Sequence, residues 1–389
     1  MSVQSRIPVT LVTGFLGSGK TTLINAALRA PELAKTVVVV NEFGKVGLDH
    51  KLFARSSDSV VVLENGCLCC TVRSDLVGTL NSLYHARQAG EIPTFDKVVI
   101  ETSGLAEPGA VLQAFLSEPT LDGLYRVAGV LTLVDAVNWP GTSEEHEESV
   151  RQVALADQIR ITKLDMVTGD RQDGLSRIRL DVRRINPSAE IAEVDWSSSA
   201  VAKLLTFPGF DMADPQADPR PWLNVQAYQK PADDLDACGE DHHHHHHHHE
   251  HDHARPAHSH HLERKGIETF VLTRESPLMR EEIQFLLDGI AQNLGAGLLR
   301  VKGLVNVAEE PGRPAVIQGA QHLLHTMTWL DRWPDNDHRT RIVFITQGIP
   351  RDNLKDIIDL LDRVSSRTFK ARARGQDAQQ AAKAAMQTE

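Results

Sequence analysis

Gly14-Phe15-Leu16-Gly17-Ser18-Gly19-Lys20-Thr21-Thr22 follows the apolar run Pro8–Thr13 and opens a helical stretch, Lys20–Arg29. A strand, a glycine-rich turn and a helix beginning at Gly-Lys-Thr is the arrangement that cradles nucleotide phosphates. Its glycines let backbone N–H groups curl around the phosphates, and the helix N-terminus adds partial positive charge. In this pattern the lysine, Lys20, reaches the β- and γ-phosphates, and the Thr21 hydroxyl is set to hold Mg²⁺. Gly14, Gly17, Ser18, Gly19, Lys20, Thr21 and Thr22 are therefore the candidate nucleotide-binding residues.

Outward from this loop, short apolar strands alternate with helical stretches. Strands are expected at Pro8–Thr13, Thr36–Val40, Val60–Leu63, Lys97–Ile100, Ala128–Val134, Gln158–Ile161 and Ile191–Val194. Several are unbroken Val/Ile/Leu runs, the pattern of parallel strands buried on both faces. Helices fit at Ser74–Gln88, Pro108–Leu116, Glu145–Ala156 and Gly174–Asn186. The expected fold is an α/β P-loop domain over 1–207, with a doubly wound, mostly parallel sheet. From Pro208 to His261 Asp, Pro, Ala and then His dominate without a sustained apolar period, which reads as a flexible linker. Periodicity returns at Leu262: a strand at Ile267–Leu272, a helix at Met279–Asn293, strands turned by Gly303 within Leu298–Val307, a strand at Ile342–Thr346 and a helix at Arg351–Arg363. These make a smaller α+β domain over 262–366. The Ala/Gln/Arg-rich stretch 367–389 reads as a frayed tail.

The chain has 389 residues, 41 basic against 52 acidic, for a net charge of −11. That balance argues against a nucleic-acid binder and suits the attraction of cations. No stretch has the apolar length of a membrane span, and the residues before the first strand lack a signal-peptide core. Three of the four cysteines lie within four positions, too crowded to staple distant parts of a fold, so reduced thiols in the cytoplasm are expected.

A second acid for Mg²⁺ should stand at the end of a neighbouring strand. Val98-Val99-Ile100-Glu101-Thr102-Ser103-Gly104 supplies Glu101, and the Gly104 N–H is placed to touch the γ-phosphate. Lys20, Thr21 and Glu101 are the candidate catalytic set. Base identity is read from Thr162-Lys163-Leu164-Asp165 at the end of the sixth strand. A carboxylate there accepts both N1–H and the 2-amino group of guanine, a pair that adenine does not offer, while the Lys163 stem covers the ring. Thr162 stands where Asn is commoner and should lose one orienting amide. By itself a Lys-Leu-Asp tripeptide at a strand end is common, so this element draws its weight from the loop before it.

Glu64-Asn65-Gly66-Cys67-Leu68-Cys69-Cys70-Thr71 sits between a strand and a helix. Thiols at these spacings converge on one ion if the chain turns sharply at Gly66. Thiolates select Zn²⁺ or Cu(I) over hard cations, and three protein ligands leave an exchangeable position. Asn41-Glu42-Phe43-Gly44-Lys45-Val46-Gly47-Leu48-Asp49 has the glycines and carboxylates of a nucleotide-sensing switch, so nucleotide state could reach the thiols by a short path. Nineteen histidines is the unusual count, and 13 of them lie between His242 and His261. His242, His243, His244, His245, His246, His247, His248, His249, His251 and His253 form weak, shifting capture sites suited to Zn, Ni, Co or Cu. A neutral spacer is the alternative for that tract. His322 and His325 read as surface or packing residues.

Taken in order, the blocks 14–22, 41–49, 64–71, 101–108 and 162–165 closely resemble the CobW-like family of P-loop GTPases. Leu299–Gly303, Glu310–Pro314 and Val316–Gly319 resemble that family's C-terminal domain, so the resemblance covers essentially the whole chain. It implies GTP and Mg²⁺ at Gly14–Thr22 with Glu101, and a transferable Zn²⁺ at Cys67, Cys69 and Cys70, with Co²⁺ or Ni²⁺ as alternatives. The family's switch often has acidic residues flanking NEFG; here Val40 precedes it and Lys45 follows, which puts any auxiliary carboxylate site in doubt. The expectation is a GTP-hydrolysing metallochaperone serving an unidentified client metalloprotein, without nucleic acid or membrane, and with nucleotide-dependent self-association open. With no evident water-positioning glutamine or arginine finger, intrinsic hydrolysis should be slow. Two rivals stand: cobalt or nickel insertion for a cofactor or metalloenzyme pathway, and a metal buffer with little turnover.

Overall fold

In the N-terminal half, alternate residues of each strand serve opposite faces of one sheet. Val37, Val39, Val98 and Ile100 pack on one side, and Val38, Val40 and Val99 on the other. The computed structural model describes residues 6–28, 30–41, 60–63, 70–168, 171–211, 214–229, 266–321, 323–325 and 327–364. The elements of the first unit are β1 (Ile7–Gly14), α1 (Lys20–Ala27), β2 (Thr36–Asn41), β3 (Val60–Leu63), α2 (Cys70–Ala89), β4 (Lys97–Glu101), α3 (Pro108–Ser117), α4 (Pro119–Leu124) and β5 (Tyr125–Asp135), then α5 (Trp139–Glu145), α6 (Glu147–Ala154), β6 (Gln158–Thr162), α7 (Arg171–Ile185), β7 (Glu190–Glu193) and α8 (Ser198–Leu205). The sheet runs β3-β2-β4-β1-β5-β6-β7 with every pairing parallel. Helices α2 and α3 cover one face, and α1 and α8 cover the other. All C-terminal strand ends therefore lie along one edge, where open α/β sheets bind ligands.

The second unit begins inside the stretch read as a linker. Helices α9 (Arg220–Leu223) and α10 (Val225–Gln229) place Leu223 in a buried cluster with Leu304, Val316 and Val343, and Trp222, Val225 and Tyr228 pack against it. Apolar residues too sparse to show a period still suffice to seat two single-turn helices. Next come β8 (Ile267–Arg274), α11 (Arg280–Leu294), β9 (Leu298–Val305), β10 (Ala315–Ala320), β11 (Leu323–Leu324), β12 (Thr328–Trp329), β13 (Thr340–Gln347) and α12 (351–364). Their antiparallel sheet is ordered β11-β10-β9-β13-β8, with β12 paired to β10. Gly303 does not turn the chain. It lies within uninterrupted β9, where a Cβ would stand 2.9 Å from Ile342 Cγ1 and 3.0 Å from Ile317 Cγ1.

Two other expectations shift. The helix expected over Glu145–Ala156 is two helices, broken where His146 takes an extended conformation (φ −120°, ψ 116°). Helix α2 starts at Cys70, four residues before Ser74, so the last cysteine of the thiol loop opens the helix. Among the described residues no helix is long and apolar enough to cross a membrane.

The two units are joined by charge as well as apolar contact. Asp157, just before β6, accepts from Arg300 Nη2 at 2.6 Å and Lys302 Nζ at 2.9 Å, both on β9. Lys302 also donates to the Trp222 carbonyl at 3.0 Å and lies over the Trp222 ring. Burial pushes the Asp157 carboxyl up, but Arg300 and then Lys302 outweigh it and hold it at about 2, below the usual 3.8. One carboxylate serves two cations, so Lys302 is compensated only in part: burial, then Arg300, brings it down to about 8. Because the folded pKa of Asp157 is depressed, its contribution is full above pH 3.8 and is lost as pH falls toward 2. That contribution is about 2 kcal/mol. The stability gap between the native chain and Asp157→Asn, from urea unfolding, should shrink by this amount between pH 5 and pH 2; a constant gap would exclude the assignment.

Candidate active site

The phosphate loop lies between the buried end of β1 and α1. Left-handed backbone at Gly17 (φ 73°) and Gly19 (φ 97°) curls it as only glycine does without strain. Lys20, 8% exposed, donates from Nζ to the carbonyls of Gly14 at 2.8 Å and Phe15 at 3.2 Å. Its ammonium is thus held inside the loop by weak acceptors that a phosphate oxygen outcompetes. The Ser18 hydroxyl is buried and takes no hydrogen bond among the described residues, an orphan polar atom that a bound phosphate would satisfy. Thr22 points to solvent on the first turn of α1.

Glu101 is the last residue of β4, and its Oε1 accepts from Thr21 Oγ1 at 2.7 Å. Two hard oxygen donors, one from the first turn of α1 and one from the end of β4, thus meet at the mouth of the loop, the donor chemistry that Mg²⁺ requires. Gly104 lies directly on the phosphate loop: a Cβ there would stand 2.6 Å from Leu16 N and 2.7 Å from its Cα. Only a glycine lets this strand-end loop approach so closely.

At the base end, Lys163 adopts a left-handed conformation (φ 58°) and starts the single 3-10 turn Leu164–Met166, which leaves Asp165 exposed. Thr162, which lacks the amide of the commoner Asn, makes a bond of its own. Its hydroxyl donates to the Ser18 carbonyl at 2.9 Å, tying base site to phosphate loop.

Several contributors were not foreseen. Asp135, ending β5, accepts from Lys163 Nζ at 2.7 Å and Asn138 Nδ2 at 2.7 Å. Burial pushes its carboxyl up, but these bonds and the Val137 N–H outweigh it and hold it below the usual range. A carboxylate at a strand end was a readable signal. So was Trp196, which follows β7 and stands 3.9 Å from where a Gly19 Cβ would be. Gln152, inside α6 and 1% exposed, carried no such signal; its Nε2 donates to the carbonyls of Gly104 at 3.0 Å and Ala106 at 3.1 Å. His146 stacks on Phe15 with ring centroids 4.5 Å apart.

Cys67 and Cys69, the switch residues 42–49, His242–His261 and His322 lie outside the described residues. Cys70 is the first residue of α2, beyond β3, whose neighbour β2 pairs with the Glu101 strand. His325 packs against the first unit, its Nε2 lying 3.2 Å from Asp122 Oδ1.

Comparison with known proteins agrees with this geometry. Residues 8–193 match the model of the CobW/HypB/UreG nucleotide-binding domain, and 267–361 match that of the cobalamin synthesis protein cobW C-terminal domain. The zinc chaperone YjiA of Escherichia coli is 29% identical over 349 residues, covering 90% of this chain and 96% of that protein. The zinc-regulated GTPase metalloprotein activator 1 of Schizosaccharomyces pombe is 32% identical over 202 residues, 50% of this chain and 47% of its own length. The zinc chaperone CobW of a Sinorhizobium species is 32% identical over 206 residues, 46% of this chain and 56% of its own length. The chain thus spans about half of these last two relatives. In fold it is similar to the Zn(II)-bound YjiA GTPase of Escherichia coli, with a TM-score of 0.60 at 24% identity over 92% of this chain and 99% of that one. With its nucleotide-binding and C-terminal units both matched in order, the chain belongs to the CobW family of P-loop proteins.

Proposed function

We propose that this chain is a GTP-hydrolysing metallochaperone that carries zinc at Cys67, Cys69 and Cys70 and hands it to a client metalloprotein in the cytoplasm. The observation that carries the hydrolytic half is the 2.7 Å contact between Thr21 and Glu101, which joins the phosphate loop to the acid-bearing strand. Lys20 would leave the Gly14 and Phe15 carbonyls for the β- and γ-phosphate oxygens, and the loop N–H groups would hold the remaining charge. Thr21 and Glu101 would hold Mg²⁺, which would supply positive charge against the charge developing in the transition state. Gly104, pinned by Gln152 and resting on Leu16, would register loss of the γ-phosphate. Asp165 and Lys163 would select guanine, with Lys163 oriented by Asp135. Zinc as cargo is supported by three soft thiols in one loop and by relatives named as zinc chaperones. The histidine tract would gather metal, and the second unit would meet the client.

Delivery requires that thiol and nucleotide sites be coupled, and coupling is reciprocal. Zn²⁺ affinity by chelator competition should differ about 5–150-fold between GTP analogue and GDP. Cys69→Ser should weaken zinc strongly, since a hydroxyl is a poor substitute for thiolate. It should also erase the nucleotide dependence and leave metal-free GTP binding nearly unchanged. Equal zinc affinities in both nucleotide states would instead favour a buffer.

A further inference from the structure

Helix α6 touches both units, and two adjacent residues on it face different ways. Gln152 is buried in the first unit and grips the loop after β4 at Gly104 and Ala106. Arg151 donates from Nε to Gln347 Oε1 at 2.7 Å, at the end of β13 in the second unit. It also pairs with Glu147 one turn back and with Glu107. Glu107 closes the same loop, three residues past Gly104, and is the residue before α3. One of its oxygens takes the Arg151 bond, and the other accepts from Gln321 Nε2 at 3.1 Å.

Gln321 lies between β10 and β11. Its amide is used at both ends, since Gln113 Nε2 on α3 donates to its Oε1. Its backbone is left-handed (φ 56°), a conformation that a non-glycine residue keeps only where the surroundings hold it. The segment that rests on the phosphate loop thus ends in a carboxylate bonded directly to one strand turn of the second unit, and through Arg151 to another strand.

We propose that Glu107 is a positioning residue that couples nucleotide state to the seat of the second unit. Movement of Gly104 on exchange of GTP for GDP is passed by the Glu107 carboxylate to Gln321 and, through Arg151, to Gln347. The inference rests on the reading that Gly14–Thr22 binds and hydrolyses GTP. By reciprocity, breaking the link from the far side must alter nucleotide preference, although Gln321 and Gln347 belong to the second unit and not to the phosphate loop.

The test uses the full chain with Mg²⁺ and either GDP or a non-hydrolysable GTP analogue. Amide hydrogen exchange over 315–321 and 340–347 should differ between the two states by about fivefold or more, the low end of ordinary coupling. Glu107→Gln and Gln321→Ala should each collapse that difference. Gln321→Ala and Gln347→Ala should also shift the ratio of analogue to GDP affinity, whereas a merely structural loss would lower melting temperature and both affinities alike. Gln321→Glu, which sets like charges together, should shift the ratio at least as far. A native chain that binds and hydrolyses GTP with no exchange difference overturns the coupling alone, as do variants that keep the native difference and ratio. A native chain that binds no GTP overturns the functional reading and this inference with it.

Discussion

Lys20→Ala is expected to lower GTP turnover by about 10²–10³-fold, the cost of removing one preorganised charge from a phosphoryl-transfer site. The ammonium is already inside the loop, so native binding requires only that it exchange two backbone carbonyls for phosphate oxygens. Alanine leaves the Gly14 and Phe15 carbonyls without that donor, a cost of about 1 kcal/mol each that a domain of this size should survive. Lys20→Arg is not expected to rescue turnover, because a planar guanidinium does not replace a compact point charge. Phosphate release at saturating GTP, read beside thermal unfolding, separates chemistry from folding. Native-like turnover in a folded Lys20→Ala protein would remove the phosphate loop from the mechanism.

Asp165→Asn is expected to weaken GTP by about 3 kcal/mol or more, since hydrogen bonds to a charged group contribute about 1.5–3 kcal/mol and guanine offers two donors. The carboxylate is exposed on a one-turn helix and set by the left-handed Lys163, so the substitution should leave the fold intact. Asparagine presents a donor where guanine also presents one. Xanthosine triphosphate, with an acceptor at that position, should lose far less. Competition of GTP, xanthosine triphosphate and ATP against a fluorescent nucleotide gives the ranking. Equal native affinity for ATP and GTP would defeat the assignment to guanine.

What could be read from the sequence was local. The phosphate loop gathers its glycines, lysine and threonine within nine consecutive residues, so residues 14–22, the strand before and the helix after were all legible. The placement of Glu101 and Gly104 beside the loop, and of Thr162–Asp165 at the end of β6, was legible because a strand end and the turn after it fall within a few residues. The clamp on Gly104 was not, because Gln152 lies 48 residues away and an interior glutamine of a helix has no distinguishing pattern. Nor was the junction between the units: Asp157 and Lys302 are 145 residues apart, and Glu107 and Gln321 are 214 apart. Gly303 misled because glycine is permissive both for turning and for crowding; only the neighbouring strands show that crowding applies. The helices at 220–229 escaped notice because two single turns fall below the length over which period can be judged.

Helix α6 has one further consequence. Val150, Val153 and Ala154 share a buried cluster with Leu299 and Ile345 of the second sheet, while the neighbouring Gln152 holds the loop of the first. A helix that is interior to both sheets is not a hinge between modules. The second unit therefore cannot be exchanged as a cassette: a substitute would need an apolar match for α6, two cations for Asp157 and an amide for Glu107. Diversification of client choice in such an architecture would proceed along outward-facing loops and the segment between the units, with the joint itself inherited as a single piece.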